Sequence, residues 1–530
     1  MIKNKKIMFI CKESYSFPLY FVAKKLLSEN NDIAVFFVHP EEGLYNKCMY
    51  NEHTFYYYKN NLKNVRIYDL RDLCKKFDNK YTDSIIDLNY LSFVEKEYCN
   101  FNNLNLQLTA SQLTTRHYHT RFYFNYSTFQ QSLSFIELGY KRVIEILDEF
   151  NPDVIMDTED GELLRTILNE VAYKKGIPYV NIDYPRYEAY KIPTYCLGLN
   201  TEKYFINEYY RNYLLPIESL RQEYDYVLNF RASSGIMSKE FAGTTTSQYQ
   251  ADSVYYAFKK LIGMSLYFWN LAVSFGNWRL MKRKQILYSN PLKHFLFYVM
   301  VAIKRQLLFR NNRYFEAPEK DDTYVYLPLH LIPESTTFVK APFYIDELNI
   351  IAQVSKSLPI GWKLYVKEHQ AMLGERSLSF YRAVKKIPNV KLVKFNYYDD
   401  PKPWILNSRG VITIAGTGAY EAAMLGKKSI VFADVPFTLI EGVSRVRSFQ
   451  ELPRLIADFG SIENIQSCAA YIAATKSTGK EINLKYLIAE GEAIIRGEEE
   501  ITTEFQGQID TLVDFFIEAY EKYPSRASHK

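Results

Sequence analysis

The chain has 530 residues, enough for about two or three domains, and 48% of them are apolar, which excludes a disordered protein. A net charge of +5 is too small at this length to indicate a nucleic-acid partner by itself. The 46 Tyr suit surfaces that contact sugars or a membrane interface, although an AT-rich genome would enrich Tyr and the 35 Phe alike. The six cysteines form no CxxC pair, and the N-terminal MIKNKKIMFICK predicts a strand, not a signal peptide, so we expect a cytosolic protein.

The first half, residues 1–240, alternates strand-like and helix-like stretches. KIMFIC, PLYFVAKKLLSEN and DIAVFFVH predict a β–α–β opening. Further along, DVIMD and PYVNID are short apolar runs with a helical stretch between them. Buried parallel strands have this pattern, which predicts an N-terminal Rossmann-like domain for the acceptor and for catalysis.

A basic, aromatic connector over residues 241–320 joins the two halves. No acidic residue lies between Asp252 and Glu316, whereas Lys and Arg recur throughout. Its apolar runs, LIGMSLYFWNLAVSF and HFLFYVMVAI, are shorter than the roughly 18–20 residues that span a bilayer. The pattern predicts helices that contact an anionic membrane surface. The alternative is a pair of interdomain helices with solvated basic faces. No nucleic-acid motif accompanies the charge, so we expect no nucleic-acid partner.

Residues 321–480 repeat the α/β pattern. TYVYLPL, KLYVKEH, VKLVKF, GVITIAG and SIVFADV predict strands with helices between them. Residues 481–530 have a helical pattern and end in a polar tail. The whole chain therefore predicts an α/β fold with two Rossmann-like domains that face a cleft, the second of which binds a nucleotide sugar.

The stretch TIAGTGAYEAAMLG places glycines between a strand and a helix. Such a junction exposes backbone N–H groups, and the helix dipole adds positive charge, so it can bind a phosphate. Gly416 and Gly418 would allow close approach, and Thr417 offers a hydroxyl. Glu421 lies in the first helical turns and could accept hydrogen bonds from ribose. A capping role for Glu421 is the alternative, but the spacing disfavours it.

A second group of polar residues ends the strand LYVKEHQ. Lys367 and His369 lie on the same face of an extended chain. Ligands of open α/β sheets bind outside the carboxyl ends of strands, so both side chains could contact the phosphate. A structural role for the histidine is the alternative.

Carboxylates follow two strands of the first half. DTEDGELLR places Glu159 and Asp160 before a helix, and NIDYPRY places Asp183 and Arg186 at the next strand end. The carboxylates could act as a base or as a nucleophile at an anomeric carbon, and Arg186 could bind substrate. N-capping of the helix is the alternative for the acidic stretch.

The stretch TTRHYHTR is a further candidate for substrate binding. Arginines bind carboxylates or phosphates with two parallel hydrogen bonds, and no third metal ligand is spaced to make a zinc site. A solvated loop is the alternative. The candidates are Arg116, His117, His119 and Arg121.

LYVKEHQ followed by GVITIAGTGAYEAAMLGKKSIVFADVPF resembles the C-terminal half of bacterial capsule polysaccharide biosynthesis proteins. These include the retaining β-Kdo transferases of capsule and O-antigen assembly (Kdo is 3-deoxy-D-manno-oct-2-ulosonic acid). That family carries Lys-x-His-Pro at the strand end, then Ser/Thr–Gly–x–Glu-Ala and a following Gly-Lys. Here Gln370 replaces the proline, and the junction is one residue longer. The resemblance covers Tyr324 to about Val446, and the first half only loosely.

The resemblance implies a GT-B glycosyltransferase that needs no metal and no cofactor beyond its nucleotide-sugar donor, with a CMP-linked donor favoured. His369, Thr417, Gly418 and Glu421 match donor-binding positions of the family, and Lys367 lies beside them. The catalytic carboxylate stays open among Asp160, Glu159 and Asp183.

The expected activity is transfer of a sugar, such as Kdo from CMP-Kdo, to a glycan or lipid-linked acceptor in capsule, lipopolysaccharide or O-antigen synthesis. We expect the protein in the cytoplasm, peripheral on the inner face of the cytoplasmic membrane. Retention and inversion of configuration both stay open. The alternative enzymes are a sugar-nucleotide 2-epimerase and a CMP- or CDP-dependent sialyl- or polyol-phosphate transferase. A non-catalytic scaffold that binds glycans or membranes is the alternative of another class.

Overall fold

A computed structural model describes most of the chain. The described residues are 2–38, 49–70, 86–110, 128–198, 201–236, 262, 263, 265, 291–310, 314–395 and 397–527. Most of the predicted connector lies outside them. So do four predicted substrate-binding residues, Arg116, His117, His119 and Arg121.

Within the described residues, thirteen strands form two sheets. The strands are β1 (Lys6–Cys11), β2 (Asp32–Phe37), β3 (Val65–Asp69), β4 (Val154–Met156), β5 (Tyr179–Asp183), β6 (Tyr190–Thr194), β7 (Tyr324–Pro328), β8 (Lys363–Lys367), β9 (Val390–Val393), β10 (Val411–Thr413), β11 (Ser429–Val431), β12 (Val443–Arg445) and β13 (Lys480–Glu481).

Helices connect the strands and cover both faces of the sheets. In the first half they are α1 (Ser16–Leu27), α2 (Met49–Asn61), α3 (Leu88–Tyr98), α4 (Leu104–Gln107), α5 (Phe129–Phe150), α6 (Leu163–Lys175), α7 (Lys203–Tyr213) and α8 (Arg221–Ala232). The others are α9 (Pro291–Arg310), α10 (Ser335–Phe338), α11 (Glu347–Ser357), α12 (Leu378–Lys385), α13 (Lys402–Leu406), α14 (Thr417–Met424), α15 (Leu452–Ala457), α16 (Ile465–Thr478), α17 (Leu484–Arg496), α18 (Thr503–Glu521) and α19 (Tyr523–Arg526).

The two sheets share one strand order. The first runs β3-β2-β1-β4-β5-β6-β13, and its first five strands are parallel. The second runs β9-β8-β7-β10-β11-β12 and is parallel throughout. Each sheet therefore reverses its strand order once, between β1 and β4 and between β7 and β10. This is the order of a Rossmann fold, and the predicted fold class, α/β of GT-B type with two Rossmann-like domains, is confirmed.

The strands form where the sequence offers short apolar runs. In KIMFIC every residue after the first is buried, and DIAVFF shows the same pattern. Strands covered on both faces need such runs, because neither face meets water. β6 and β13 differ, since they extend the first sheet by antiparallel pairing. Pro193 lies inside β6 and weakens its strand pattern.

Segments from either half of the chain complete the core of the other. Helices α17 and α18, at the C-terminal end, pack with α1 against the first sheet. Conversely, α7 and α8 place Phe205, Tyr209 and Val227 in the core of the second domain. The sequence-based division at residues 240, 320 and 480 stays a prediction, while the hydrophobic cores continue across it.

The connector is described mainly through α9. Within the described residues, no helix is both long enough and apolar enough to cross a membrane. One side of α9 is buried, through Phe297, Val301 and Leu308. This helix therefore packs as part of the second domain's surface.

The packing of α18 predicts that the C-terminal helices are needed for stability. Phe516 is fully buried against the first sheet. Replacing Phe516 by Ala should lower the free energy of unfolding by about 3–5 kcal/mol, because a large cavity forms. Phe343, which is 77% exposed, is the matched control. The F343A substitution should change the free energy of unfolding by less than about 0.5 kcal/mol. Urea unfolding measures both; equal effects would contradict the packing.

Candidate active site

The strand reversal in the second sheet brings His330 next to the glycine junction. His330 follows β7, and its Nε2 lies 3.0 Å from Oγ1 of Thr413, the last residue of β10. The backbone N–H of Ala415 also donates to Nε2, at 3.4 Å. This arrangement favours the tautomer with its proton on Nδ1, which lies 3.5 Å from Oε1 of Glu347.

Helix α14 begins at the predicted junction, and its N-cap residue makes no side-chain cap hydrogen bond. Gly416 is the N-cap residue, and its N–H donates to Thr413 Oγ1 at 3.1 Å. A Cβ on Gly416 would lie 2.6 Å from that oxygen, whereas one on Gly418 would make an ordinary 3.5 Å contact with Pro328. The packing therefore requires glycine at 416 but not at 418. Glu421 is not the cap of this helix.

The predicted strand end KEH divides its side chains between two environments. Glu368 is 1% exposed and faces the interior, whereas Lys367 and His369 are partly exposed. Arg376 donates to Glu368 at 2.9 Å and to Glu347 at 2.6 Å. Since Glu368 also accepts the backbone N–H of His369, the buried pair fixes the position of this histidine.

The electrostatics make His369 a neutral hydrogen-bond donor at pH 7. Burial, with smaller contributions from the nearby His330 and Lys367, lowers the pKa of His369 to about 4. The Nδ1 atom accepts the N–H of Ala371 at 3.2 Å. The ring proton therefore lies on Nε2, which can donate to a ligand.

Glu421 is a carboxylate that titrates near neutrality. Burial, with a smaller contribution from Asp400, raises the pKa of Glu421 to about 7. The positive charges of Lys367 and Arg186 oppose this rise. Arg186 belongs to the first domain and has a positive φ of 72°. The structure thus brings a predicted substrate-binding residue near the predicted donor-binding residues.

In the first domain, Glu159 is held by a buried arginine. Arg165 is fully buried and donates to Asp157 at 2.8 Å and to Glu159 at 2.6 Å. Lys12, which follows β1, lies 3.7 Å from Glu159 across the strand reversal. Two cations therefore hold Glu159.

Lys340 joins the two domains at the other predicted carboxylates. This lysine follows α10 of the second domain, and its Nζ lies 2.7 Å from Asp183 and 3.6 Å from Asp160. Burial alone would lower the pKa of Lys340, but the two aspartates raise it above its usual value. Nearby, Thr109 of the first domain donates to the carbonyl of Phe338 at 3.2 Å. Lys340 is the one cation that the described residues place against Asp160.

Sequence reasoning assigned no role to His330, Lys340 or Arg376. The sequence did contain a signal for His330, because the strand-like run YVYLPL is followed by a histidine just as LYVKE is. Lys340 had none, because Asp183 is distant along the chain, and the Arg376–Glu347 pair is likewise separated in sequence. No group of three metal-ligating side chains occurs among the described residues, and the expectation of metal independence stays a prediction.

The chain matches no protein-family model and no curated protein sequence. Its fold is similar to those of several solved structures. A Staphylococcus aureus MnaA–UDP co-structure shares 10% identity at a TM-score of 0.27, with 93% of this chain and 98% of that one covered. A Thermosulfurimonas dismutans KpsC β-Kdo 2,7-transferase shares 11% identity at a TM-score of 0.29, with 62% of this chain and 79% of that one covered. A Methanocaldococcus jannaschii UDP-GlcNAc 2-epimerase in complex with UDP-GlcNAc and UDP shares 12% identity at a TM-score of 0.27. The match covers 88% of this chain and 98% of that one. At such identities and TM-scores no argument about the activity of this chain follows.

The Arg376 pairing predicts a large loss of stability when the arginine is replaced. In Arg376→Met, two buried carboxylates lose their cation, which should cost about 3–5 kcal/mol in the free energy of unfolding. The exposed Arg382 on α12 is the control, and Arg382→Met should be nearly neutral. Chemical denaturation followed by fluorescence would measure both. A loss below about 1 kcal/mol in R376M would contradict a fixed ion-pair network.

The raised pKa of Glu421 predicts that the stability difference between the wild type and Glu421→Gln depends on pH. Its pKa in the folded protein, about 7, lies above the usual 4.5, so its protonated form supports folding fully below about pH 4.5. That support is lost as the pH rises through about 7. Gln cannot ionise, so Glu421→Gln should gain thermal stability over the wild type at pH 8 compared with pH 5. Exposed Glu498→Gln is the control, and a pH-independent difference for E421Q would refute the assignment.

Proposed function

We propose that this protein is a metal-independent glycosyltransferase that binds a nucleotide-sugar donor on its second domain. The observation that carries the proposal is the convergence of His369, Lys367 and Glu421 at the uncapped start of α14. This place is the strand reversal of a Rossmann sheet, where such folds bind ligands. The donor is proposed as CMP-linked, with Kdo as its sugar, because of the resemblance of the sequence.

The donor phosphate is proposed to lie on the N-terminus of α14. The N–H groups of Thr417 and Gly418 come first in this helix, whose dipole favours an anion. His369 would donate from Nε2, and Lys367 would add a positive charge. Burial lowers the pKa of Lys367, and the negative charges of Glu421 and Asp400 oppose that change. These groups would stabilise the phosphate that leaves with the nucleotide.

Glu421 is proposed to bind the ribose hydroxyls of the donor. The N-cap residue Gly416 makes no side-chain cap hydrogen bond, and the carboxylate of Glu421 does not serve as a cap of this helix. Its pKa near 7 means that it is partly ionised at neutral pH and can accept hydrogen bonds. Lys367 and Arg186 favour this ionised form.

Asp160 is the proposed catalytic carboxylate. Glu159 is held by Arg165 and Lys12, and Asp183 accepts a hydrogen bond from Lys340 at 2.7 Å. Asp160 is 3.6 Å from Lys340, beyond hydrogen-bond length, and its side chain is 13% exposed. It would act on the anomeric carbon as a nucleophile or activate the acceptor hydroxyl as a base.

The acceptor is proposed to be a glycan or lipid-linked glycan of bacterial surface polysaccharide synthesis. Arg186 is the described candidate for holding it. The protein is proposed to work in the cytoplasm, at the inner face of the cytoplasmic membrane. The absence of acidic residues over 253–315 supports contact with an anionic membrane surface.

A sugar-nucleotide 2-epimerase is the second candidate. The grouping of Asp160 and Asp183 around Lys340 favours it, because epimerisation needs acid and base groups near the sugar. Such an enzyme would use the same nucleotide site and would need no acceptor.

A thermal-shift panel with CMP, CDP, UDP and GDP tests the proposal. We expect CMP to stabilise the wild type and Asp160→Asn, but to stabilise Glu421→Gln and His369→Ala by less than about half as much, since only these two alter the donor site. Stabilisation by UDP alone would reject the CMP donor and support the epimerase. Stabilisation by CDP alone would support a polyol-phosphate transferase. No response to any nucleotide would favour a non-catalytic scaffold.

A further inference from the structure

One face of α9 exposes a row of large apolar side chains. Leu296, Met300, Ile303 and Leu307 are 45%, 45%, 52% and 56% exposed. Their spacing of four, three and four residues places them on a single helix face. A contiguous exposed row of this kind differs from isolated apolar residues on a surface, and it indicates a binding partner.

The adjacent face of α9 is fixed to the second domain. Phe297, Val301 and Leu308 are nearly fully buried. Arg305 donates to the carbonyl of Leu373 at 3.1 Å, and the helix backbone approaches Gly374 so closely that a Cβ there would lie 2.6 Å from the carbonyl of Val301. Because one side is held by the protein, the helix cannot turn its apolar row inward or cross a bilayer.

The charged residues of α9 itself are all positive. Helix α9 carries Lys293, Lys304, Arg305 and Arg310 and no acidic residue. At 3.6 residues per turn, Lys293 and Lys304 fall between the apolar row and the packed face. The sequence extends this bias, since it has no Asp or Glu from 253 to 315. Lysines beside an apolar row can keep their ammonium groups among lipid headgroups while the row enters the acyl region.

We infer that the outer face of α9 docks on the surface of an anionic bilayer. The four apolar side chains would enter the boundary of headgroups and acyl chains, and the flanking lysines would contact anionic headgroups. The helix would lie parallel to the membrane over its length of about 30 Å. The positive charge is what favours a bilayer over an apolar protein surface.

This surface is attached directly to the proposed donor site. The residues that anchor α9, Leu373 and Gly374, follow the turn Gln370–Met372, which itself follows His369. Docking would therefore hold the active site close to the membrane plane, where a lipid-linked acceptor is reached by its headgroup. Only this link to the acceptor rests on the proposed function; the docking surface stands on α9 itself.

Vesicle co-sedimentation of the full chain tests the inference. We expect binding to phosphatidylcholine vesicles that contain phosphatidylglycerol, and little binding to phosphatidylcholine alone. The combined variant L296Q/M300Q/I303Q/L307Q should bind about tenfold more weakly. Lys293→Glu should weaken binding by about fivefold or more at low salt. The control L88Q/F93Q replaces apolar residues of α3 that are 65% and 54% exposed, and it should bind like the wild type.

The other outcomes would overturn the inference. Equal vesicle binding by the combined variant and the wild type would remove α9 from the contact, and equal binding to neutral vesicles would remove the role of charge. A wild-type dimer that the combined variant converts to a monomer, measured by light scattering, would identify a second copy of the chain as the occupant. The CMP thermal shift, measured in parallel, separates the proposals. Its absence in the wild type would refute the proposed function and leave the vesicle result intact, and its retention in the combined variant would show that the fold is preserved.

Discussion

The candidate site depends on Arg376, a buried arginine held between Glu347 and Glu368. A buried ion pair adds little net stability over apolar packing, but removal of one partner is costly. The contribution of these ion pairs is to fix the positions of two strand ends. Glu368 accepts the N–H of His369, and Glu347 accepts the N–H of His330, so a single guanidinium fixes the ends of two neighbouring strands. Burial would raise the pKa of Glu347, but Arg376 and His330 lower it to about 2, which keeps this carboxylate charged.

The first domain uses the same arrangement. Arg165 is held between Asp157 and Glu159 where β4 ends, next to the strand reversal of its own sheet. Lys340 then links the domains through Asp183 and Asp160. These pairings hold the carboxylates to different degrees. Glu159 and Asp183 accept hydrogen bonds from cations at 2.6 Å and 2.7 Å, whereas Asp160 lies 3.6 Å from Lys340.

The sequence was informative where function follows from local pattern. Short apolar runs predicted the strands, and the glycines around Thr417 predicted a junction between a strand and a helix start, both of which the structure contains. It was uninformative where a role arises from contacts across the fold. His330 meets Thr413 from 83 residues away, and Lys340 meets Asp183 from 157 residues away. The packing of α7 and α8 in the second core was hidden for the same reason, since an amphipathic pattern shows that a helix is buried but not against which sheet.

Arg186 of the first domain acts electrostatically on the second. Its guanidinium favours the ionised form of Glu421, as Lys367 does from the second domain. A donor phosphate placed at α14 would bring further negative charge to Lys367 and Arg186 together. The same anion would disfavour ionisation of Glu421 unless the ribose hydroxyls donated to its carboxylate. A nucleotide that supplies both groups would thus satisfy the proposed donor site, whereas a phosphate alone would not, and this difference would give the second domain a physical basis for selecting nucleotides over simple anions.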